Sequence, residues 1–152
     1  MRAVLVIAAV AVLLLVGFGG TMSKAETQYI CSPMSGTLIG ADGAPAAGVT
    51  VRRDWRHNKD SGSDQTSTDA SGAFSFTAVP GPRKRWFSGL STPVIDQRYF
   101  ATIGGQEVQI MFLTSTSLTP LHETDGRPFK VTCKLGGEPR VGNMGRGYCT
   151  LN

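Results

Sequence analysis

The stretch that decides the fold is Thr68-Asp69-Ala70-Ser71-Gly72-Ala73-Phe74-Ser75-Phe76. An Asp followed three residues later by Gly is turn chemistry: the carboxylate can accept hydrogen bonds from the turn backbone, and Gly tolerates a positive φ. Phe74 and Phe76 then alternate with small residues, so both rings fall on one face of an extended strand. Burying each ring stabilises by roughly 1.5–3 kcal/mol. The run predicts a hairpin that leads from a polar strand, Gln65 to Thr68, into a core strand.

Upstream, Gly36-Thr37-Leu38-Ile39 reads as a strand that turns at Ala41-Asp42-Gly43. Gly48 to Trp55 is the next strand, with Val49 and Val51 on one face and Thr50, Arg52 and Asp54 on the other. Pro45 sits in the reversal between them, where no ladder hydrogen bond is asked of it. Arg56 to Asp64 is polar and contains Ser61-Gly62-Ser63, which predicts a loop.

Downstream, Arg98 to Ile103 alternates, with Tyr99, Ala101 and Ile103 on one face, and Gly104-Gly105 signals a two-residue hairpin. Ile110-Met111-Phe112-Leu113 is apolar on both faces, as in a central strand. Thr114 to Asp125 reads as a loop. Phe129, Val131, Cys133 and Leu135 alternate with Lys130, Thr132 and Lys134, and Gly147 to Leu151 forms a short last strand. Seven or eight strands at short spacing, with no convincing helix, predict an all-β sandwich rather than a βαβ fold.

Gly36-Thr37-Leu38-Ile39, Asp42-Gly43, Pro45, Gly48-Val49-Thr50-Val51 and Thr68-Asp69 with Gly72, Phe74 and Phe76 resemble the carboxypeptidase regulatory-like domain. The resemblance covers residues 36–76 and implies a transthyretin-like (prealbumin-like, Ig-like) β-sandwich. It implies little about function, because such domains serve as accessory modules in many proteins. Hydroxyisourate hydrolase shares the transthyretin-like fold, but its Tyr-Arg-Gly-Ser ending is missing here, where the chain closes Tyr148-Cys149-Thr150-Leu151-Asn152. The wider frame is similar to a bacterial exported family of unknown function. The shared features are Cys31-Ser32-Pro33-Met34-Ser35-Gly36 and two late Cys-x-Leu segments, Cys133-Lys134-Leu135 and Cys149-Thr150-Leu151.

Residues 1–25 have the order of a secretory signal: Met1-Arg2, an uncharged run from Ala3 to Phe18, and Ser23-Lys24-Ala25 with small residues at −3 and −1. Retention as an N-terminal anchor is the alternative, although the apolar run is shorter than the roughly 20 residues a spanning helix needs. The division expected is a signal peptide over 1–25 and one sandwich domain over 26–152, periplasmic or extracellular, with no membrane span after cleavage. Of 152 residues, 15 are basic and 11 acidic; without Arg2 and Lys24 the balance falls from +4 to +2. That removes most of the case for a nucleic-acid partner.

Export permits disulfides. Of Cys31, Cys133 and Cys149, the last two have the best local case for pairing, since both sit in short strands flanking a turn-rich segment. A bridge from Cys31 to either, or none at all, stays open. An unpaired Cys31 reads as a buried thiol at the start of the domain.

Catalytic chemistry is hard to find. His57 and His122 both lie in expected loops and read as solvated, and no Gly-x-Ser-x-Gly elbow marks a nucleophile. Asp42, Asp69 and Asp125 sit at turns, where backbone hydrogen bonding is their expected work. Neither a calcium loop nor a zinc ligand set is present, so no cofactor is expected. The most suggestive surface feature is Arg83-Lys84-Arg85-Trp86-Phe87, three cations beside two large aromatics, which could grip an acidic protein or glycan partner. A solvated basic turn is the other reading of it. The expectation is an exported, non-catalytic binding or structural module. The alternative is a periplasmic inhibitor or immunity-type protein that binds a hydrolase or toxin.

Overall fold

The computed structural model describes residues 27–82, 92–142 and 145–152. Two four-stranded sheets pack face to face. The first contains β2 (Met34–Ile39), β5 (Ala73–Phe76), β9 (Phe129–Lys134) and β12 (Cys149–Leu151), in the order β12-β9-β2-β5. Its β2 and β9 run parallel and its other pairs antiparallel. The second is antiparallel throughout: β3 (Thr50–His57), β4 (Asp60–Ser67), β7 (Ile95–Ile103) and β8 (Gln106–Ser115), in the order β4-β3-β7-β8. The protein is an all-β sandwich, as its alternating pattern predicts. No described helix is long and apolar enough to cross a membrane.

The core follows the alternation. Leu38, Phe74, Phe76, Val131 and Cys133 face inward from the first sheet, and Val51, Tyr99, Ala101, Ile110 and Leu113 from the second. Phe76 meets Phe74 and Tyr99 edge to face, with ring centroids 6.2 and 5.8 Å apart. Ile103, expected inside, is exposed at the hairpin end of β7. Ile110 and Met111 are both buried because the ladder between β7 and β8 slips at Tyr99/Phe100. The extra residue of that bulge lets two neighbours face the same side.

Two expectations need correcting. Arg56 to Asp64 is not a loop: Arg56 and His57 end β3, and Asp60 to Asp64 open β4 opposite it, joined by a tight turn at Asn58 (φ 55°), while Gln65 to Ser67 continue as the expected polar strand. The strand is polar because it lies at the edge of its sheet. Gly62 faces Trp55 so closely that a Cβ there would enter the indole ring. Nor is the turn at Asp69 a hairpin, since β4 pairs with β3 and β5 pairs with β2. The turn carries the chain from one sheet to the other. Its local chemistry is as read: Asp69 Oδ1 accepts from the Ser71 amide (2.8 Å), the Ser71 hydroxyl (2.7 Å) and the Ala73 amide (3.0 Å).

Four short strands lie outside the two sheets. β1 (Tyr29–Cys31) pairs with β6 (Val79–Pro80), and β10 (Arg140–Gly142) with β11 (Gly145–Gly147). The β1–β6 ribbon covers a second, smaller core of Ile30, Cys31 and Ile95, flanked by Trp55, Val79 and Leu118.

Candidate functional site

Cys133 and Cys149 face each other across the β9–β12 ladder and are joined as a disulfide. Beyond it the outer face of the first sheet opens into a cleft. Alternation along β9 sends Cys133 inward and Thr132 and Lys134 outward. Thr150 of β12 pairs with Thr132, and Tyr148 lies just before β12. Together with Ile39 these residues form the cleft floor. One wall is the turn at Gly40, Ala41 and Gly43, and the other is the segment from Gly136 to Arg140.

The cavity measures about 590 Å³. That falls within the roughly 300–1,000 Å³ typical of small-molecule sites. Its two walls touch at one end: a Cβ on Gly136 would lie 2.9 Å from the Ala41 carbonyl oxygen, so only glycine lets the loops approach. The 40–43 wall is closed on itself by hydrogen bonds, Gly40 N–H to the Ala44 carbonyl (2.8 Å), Gly43 N–H to the Gly40 carbonyl (3.0 Å) and Ala44 N–H to Asp42 Oδ1 (3.0 Å). The opposite wall is exposed and makes fewer bonds of its own. The amides of Gly136, Gly137 and Glu138 donate to no acceptor among the described residues. Lys134 and Arg140 form no ion pair there either. The cleft is therefore lined by two cations, exposed amides, two threonines whose hydroxyls donate to Asn152 Oδ1 (2.9 Å) and the Thr132 carbonyl (3.4 Å), and one aromatic ring, with Glu138 as its one carboxylate among the described residues.

A second polar cluster is closed. Arg53, fully buried on β3, donates to Asp64 through Nε (2.9 Å) and Nη2 (2.5 Å) and to the Thr77 carbonyl through Nη2 (2.9 Å). Its guanidinium also lies 4.7 Å from the centre of the Phe76 ring. Tyr99 donates to Gln97 (2.8 Å), and Gln97 donates to Glu123 (3.0 Å). Glu123 also accepts from the Ser32 hydroxyl (2.7 Å), and the Leu121 amide donates to that hydroxyl (2.8 Å). The chain of bonds fastens the N-terminal strand and the 121–123 turn onto the second sheet. Cys31 is a free, buried thiol beside it. Burial pushes that thiol up to about 12, more than the Arg53 charge pulls it down. The group stays protonated and unreactive at neutral pH.

The two histidines part company. His57 is buried at the end of β3, not solvated in a loop, because Asp60 to Ser67 continues the sheet beside it. Its Nε2 lies 3.3 Å from Asn58 Nδ2. His122 lies exposed in a 3-10 turn (His122–Thr124), beside a 270 Å³ hollow that Glu123, Asp125 and Arg127 share. Thr114, Ser115 and Thr116 line the same hollow, and Glu123 already accepts from Ser32 and Gln97. Among the described residues no group of three or more His, Cys, Asp or Glu could hold a metal.

Of the expected site residues, Cys133 and Cys149 are brought together, while Arg83, Lys84, Arg85, Trp86 and Phe87 lie outside the described residues. Sequence reasoning missed Lys134, Arg140 and Tyr148 as neighbours. The available signal was Gly136-Gly137 directly after a strand whose outward residues are Thr132 and Lys134. Arg53 is not singled out by the sequence reading, although its alternation with Val49 and Val51 places it on the inner face.

A comparison with curated proteins finds no match. Residues 34–138, which run from β2 through the Gly136–Glu138 wall of the cleft, match a domain of unknown function, DUF6795, and the chain belongs to that family.

Proposed function

We propose that the protein is an exported, non-catalytic binding module that works in the periplasm or outside the cell and holds its ligand in the cleft of the first sheet. The observation that carries this reading is the cleft itself, a small-molecule-sized cavity whose two cations have no described carboxylate partner. A disulfide across the strand pair beneath it fits an oxidising compartment. The signal-like order of residues 1–25 supports export. The buried bonds of Arg53 with Asp64 and of Tyr99, Gln97, Glu123 and Ser32 tie elements of the fold together, whereas the cleft lies open on the surface.

Amide-resolved NMR of the exported protein, titrated with fractions of bacterial envelope oligosaccharides and peptides, tests the reading. The expected result is saturable shifts at Lys134, Gly136 to Arg140 and Tyr148, with every ligand recovered chemically unchanged. Turnover of a ligand that disappears on His122→Ala would overturn the non-catalytic reading. Shifts confined to other surfaces would overturn the choice of site.

A further inference from the structure

We propose that the cleft is a site for an acidic sugar, a pyranose ring carrying a single carboxylate. The proposal rests on the reading of the cleft as the binding site and names the ligand class it takes.

The protein offers donors and asks for acceptors. Lys134 and Arg140 are exposed cations without a described carboxylate partner, and the amides of Gly136, Gly137 and Glu138 have no described acceptor. An arginine fork matches the two oxygens of a carboxylate, and a lysine adds a point charge. Phosphate would satisfy the same donors, but Glu138 lines the same cavity. Two cations against one carboxylate leave a net charge of +1, which suits a monoanion better than a phosphate near its second ionisation.

The floor favours a sugar over a peptide. It carries the hydroxyls of Thr132 and Thr150, set side by side by the β9–β12 register, and a single aromatic, Tyr148. Thr132 donates its hydroxyl to Asn152 Oδ1 (2.9 Å) and Thr150 to the Thr132 carbonyl (3.4 Å), so both oxygens keep lone pairs that accept from ligand hydroxyls. A tyrosine ring offers an apolar face to the C–H side of a pyranose and a polar tip to its oxygens. Ile39, Ala41 and Pro139 join Tyr148 in an apolar lining at least as large as the polar one, which suits the C–H face of a pyranose; a peptide side chain is the competitor that the test separates.

The test titrates the exported protein with a galacturonate trimer, a neutral maltotriose, inorganic phosphate and the dipeptide Ala-Glu, reading amide shifts and affinity by calorimetry. The uronate is expected to shift Lys134, Gly136, Gly137 and Tyr148, to bind more weakly as salt rises, and to lose about tenfold or more in affinity on Lys134→Ala or Arg140→Ala. Tyr148→Ala should weaken it as well, while Tyr148→Phe should largely retain it. Each variant keeps its outward position, and an unchanged unfolding midpoint excludes misfolding as the cause. Equal binding of maltotriose, or stronger binding of phosphate or Ala-Glu at the same residues, overturns the acidic-sugar assignment while the cleft stands as the site. Uronate shifts that map elsewhere overturn the site too, and no uronate binding at all overturns the assignment.

Discussion

Arg52, Arg53 and Arg56 lie in one strand and each meets a carboxylate: Asp54 (3.1 Å) and Glu107 (3.0 Å) for Arg52, Asp64 for Arg53, and Asp96 (3.1 Å) for Arg56. Arg98, on the neighbouring strand, lies over the Phe112 ring at 5.7 Å. Around the opposite sheet the cations are treated differently: Lys134 on β9 and Arg140 on the adjoining β10 lie at the cleft with no described carboxylate. The difference separates charge used to build the sandwich from charge left available to a ligand. Within the arginine sheet the pairs are also unequal. Those of Arg52 and Arg56 are solvated and worth about 0–1 kcal/mol each. Arg53 is wholly buried, so its charge depends on its partner.

The comparison can be broken most forcefully at that pair. Asp64→Ala removes the carboxylate and strands a buried guanidinium, which should cost about 3–5 kcal/mol in urea unfolding. Arg56→Ala in the same sheet should cost less than about 1 kcal/mol. Replacing Arg53 and Asp64 together with apolar residues should recover much of the loss, since the uncompensated charge is then gone. Similar small effects for Asp64→Ala and Arg56→Ala would show that Arg53 reaches water after all.

The disulfide comes next. Cys133 and Cys149 are 16 residues apart, and closing a loop of that size restricts the unfolded chain by about 3 kcal/mol. Cys133→Ala with Cys149→Ala should lower stability by that order. Cys31, on β1, gives a chemical readout. With burial holding the Cys31 thiol up to about 12, Ellman's reagent at pH 8 should find no free thiol in the native protein and one after denaturation without reductant. Three thiols after denaturation would mean that the clasp does not form.

How much of this was legible in the sequence depends on how each residue is exposed to its neighbours in the chain. Phe74, Phe76, Val131 and Cys133 could be placed because strict alternation has one physical cause, a single buried face. The first half of β4, Asp60 to Asp64, could not, because its residues are polar or small at an edge where no burial imprints a pattern, although Gln65 to Ser67 read as a strand. What makes it a strand is backbone pairing with β3, and pairing leaves little mark on side-chain choice. The same blindness hid the burial of His57, whose environment is built by residues on other strands. The cleft was invisible for a further reason: Ile39, Lys134, Arg140 and Tyr148 become neighbours only through the parallel β2–β9 pairing and the β9–β12 ladder. Local chemistry was read most securely where it closes within a few residues, as in the Asp69 turn.

That turn supplies a smaller, pH-dependent test of the link between the two sheets. Hydrogen bonds from the Ser71 hydroxyl and from the Ala73 and Ser71 amides hold the Asp69 carboxyl below its ordinary range. A depressed folded-state value means the stabilisation is complete above the unfolded value of about 3.9 and is lost as pH falls through the folded one. Asp69→Asn should therefore destabilise at pH 7, and its penalty should fade as the wild-type carboxyl becomes protonated. A penalty that stays constant to pH 2 would assign the effect to amide geometry instead of charge.

The least effect on stability is expected where the two regions differ most in purpose. Lys134 and Arg140 are exposed and engage no described carboxylate, so removing both should change the unfolding free energy by no more than about 0.5 kcal/mol. Removing two unpaired cations from one face could even stabilise slightly, by relieving repulsion between them. A loss of several kcal/mol would place these cations in the structural class with Arg53 and remove the ground for a binding cleft. An unchanged midpoint joined to a lost ligand response would establish that the two sheets divide their charge, one neutralising it within the fold and the other presenting it outward.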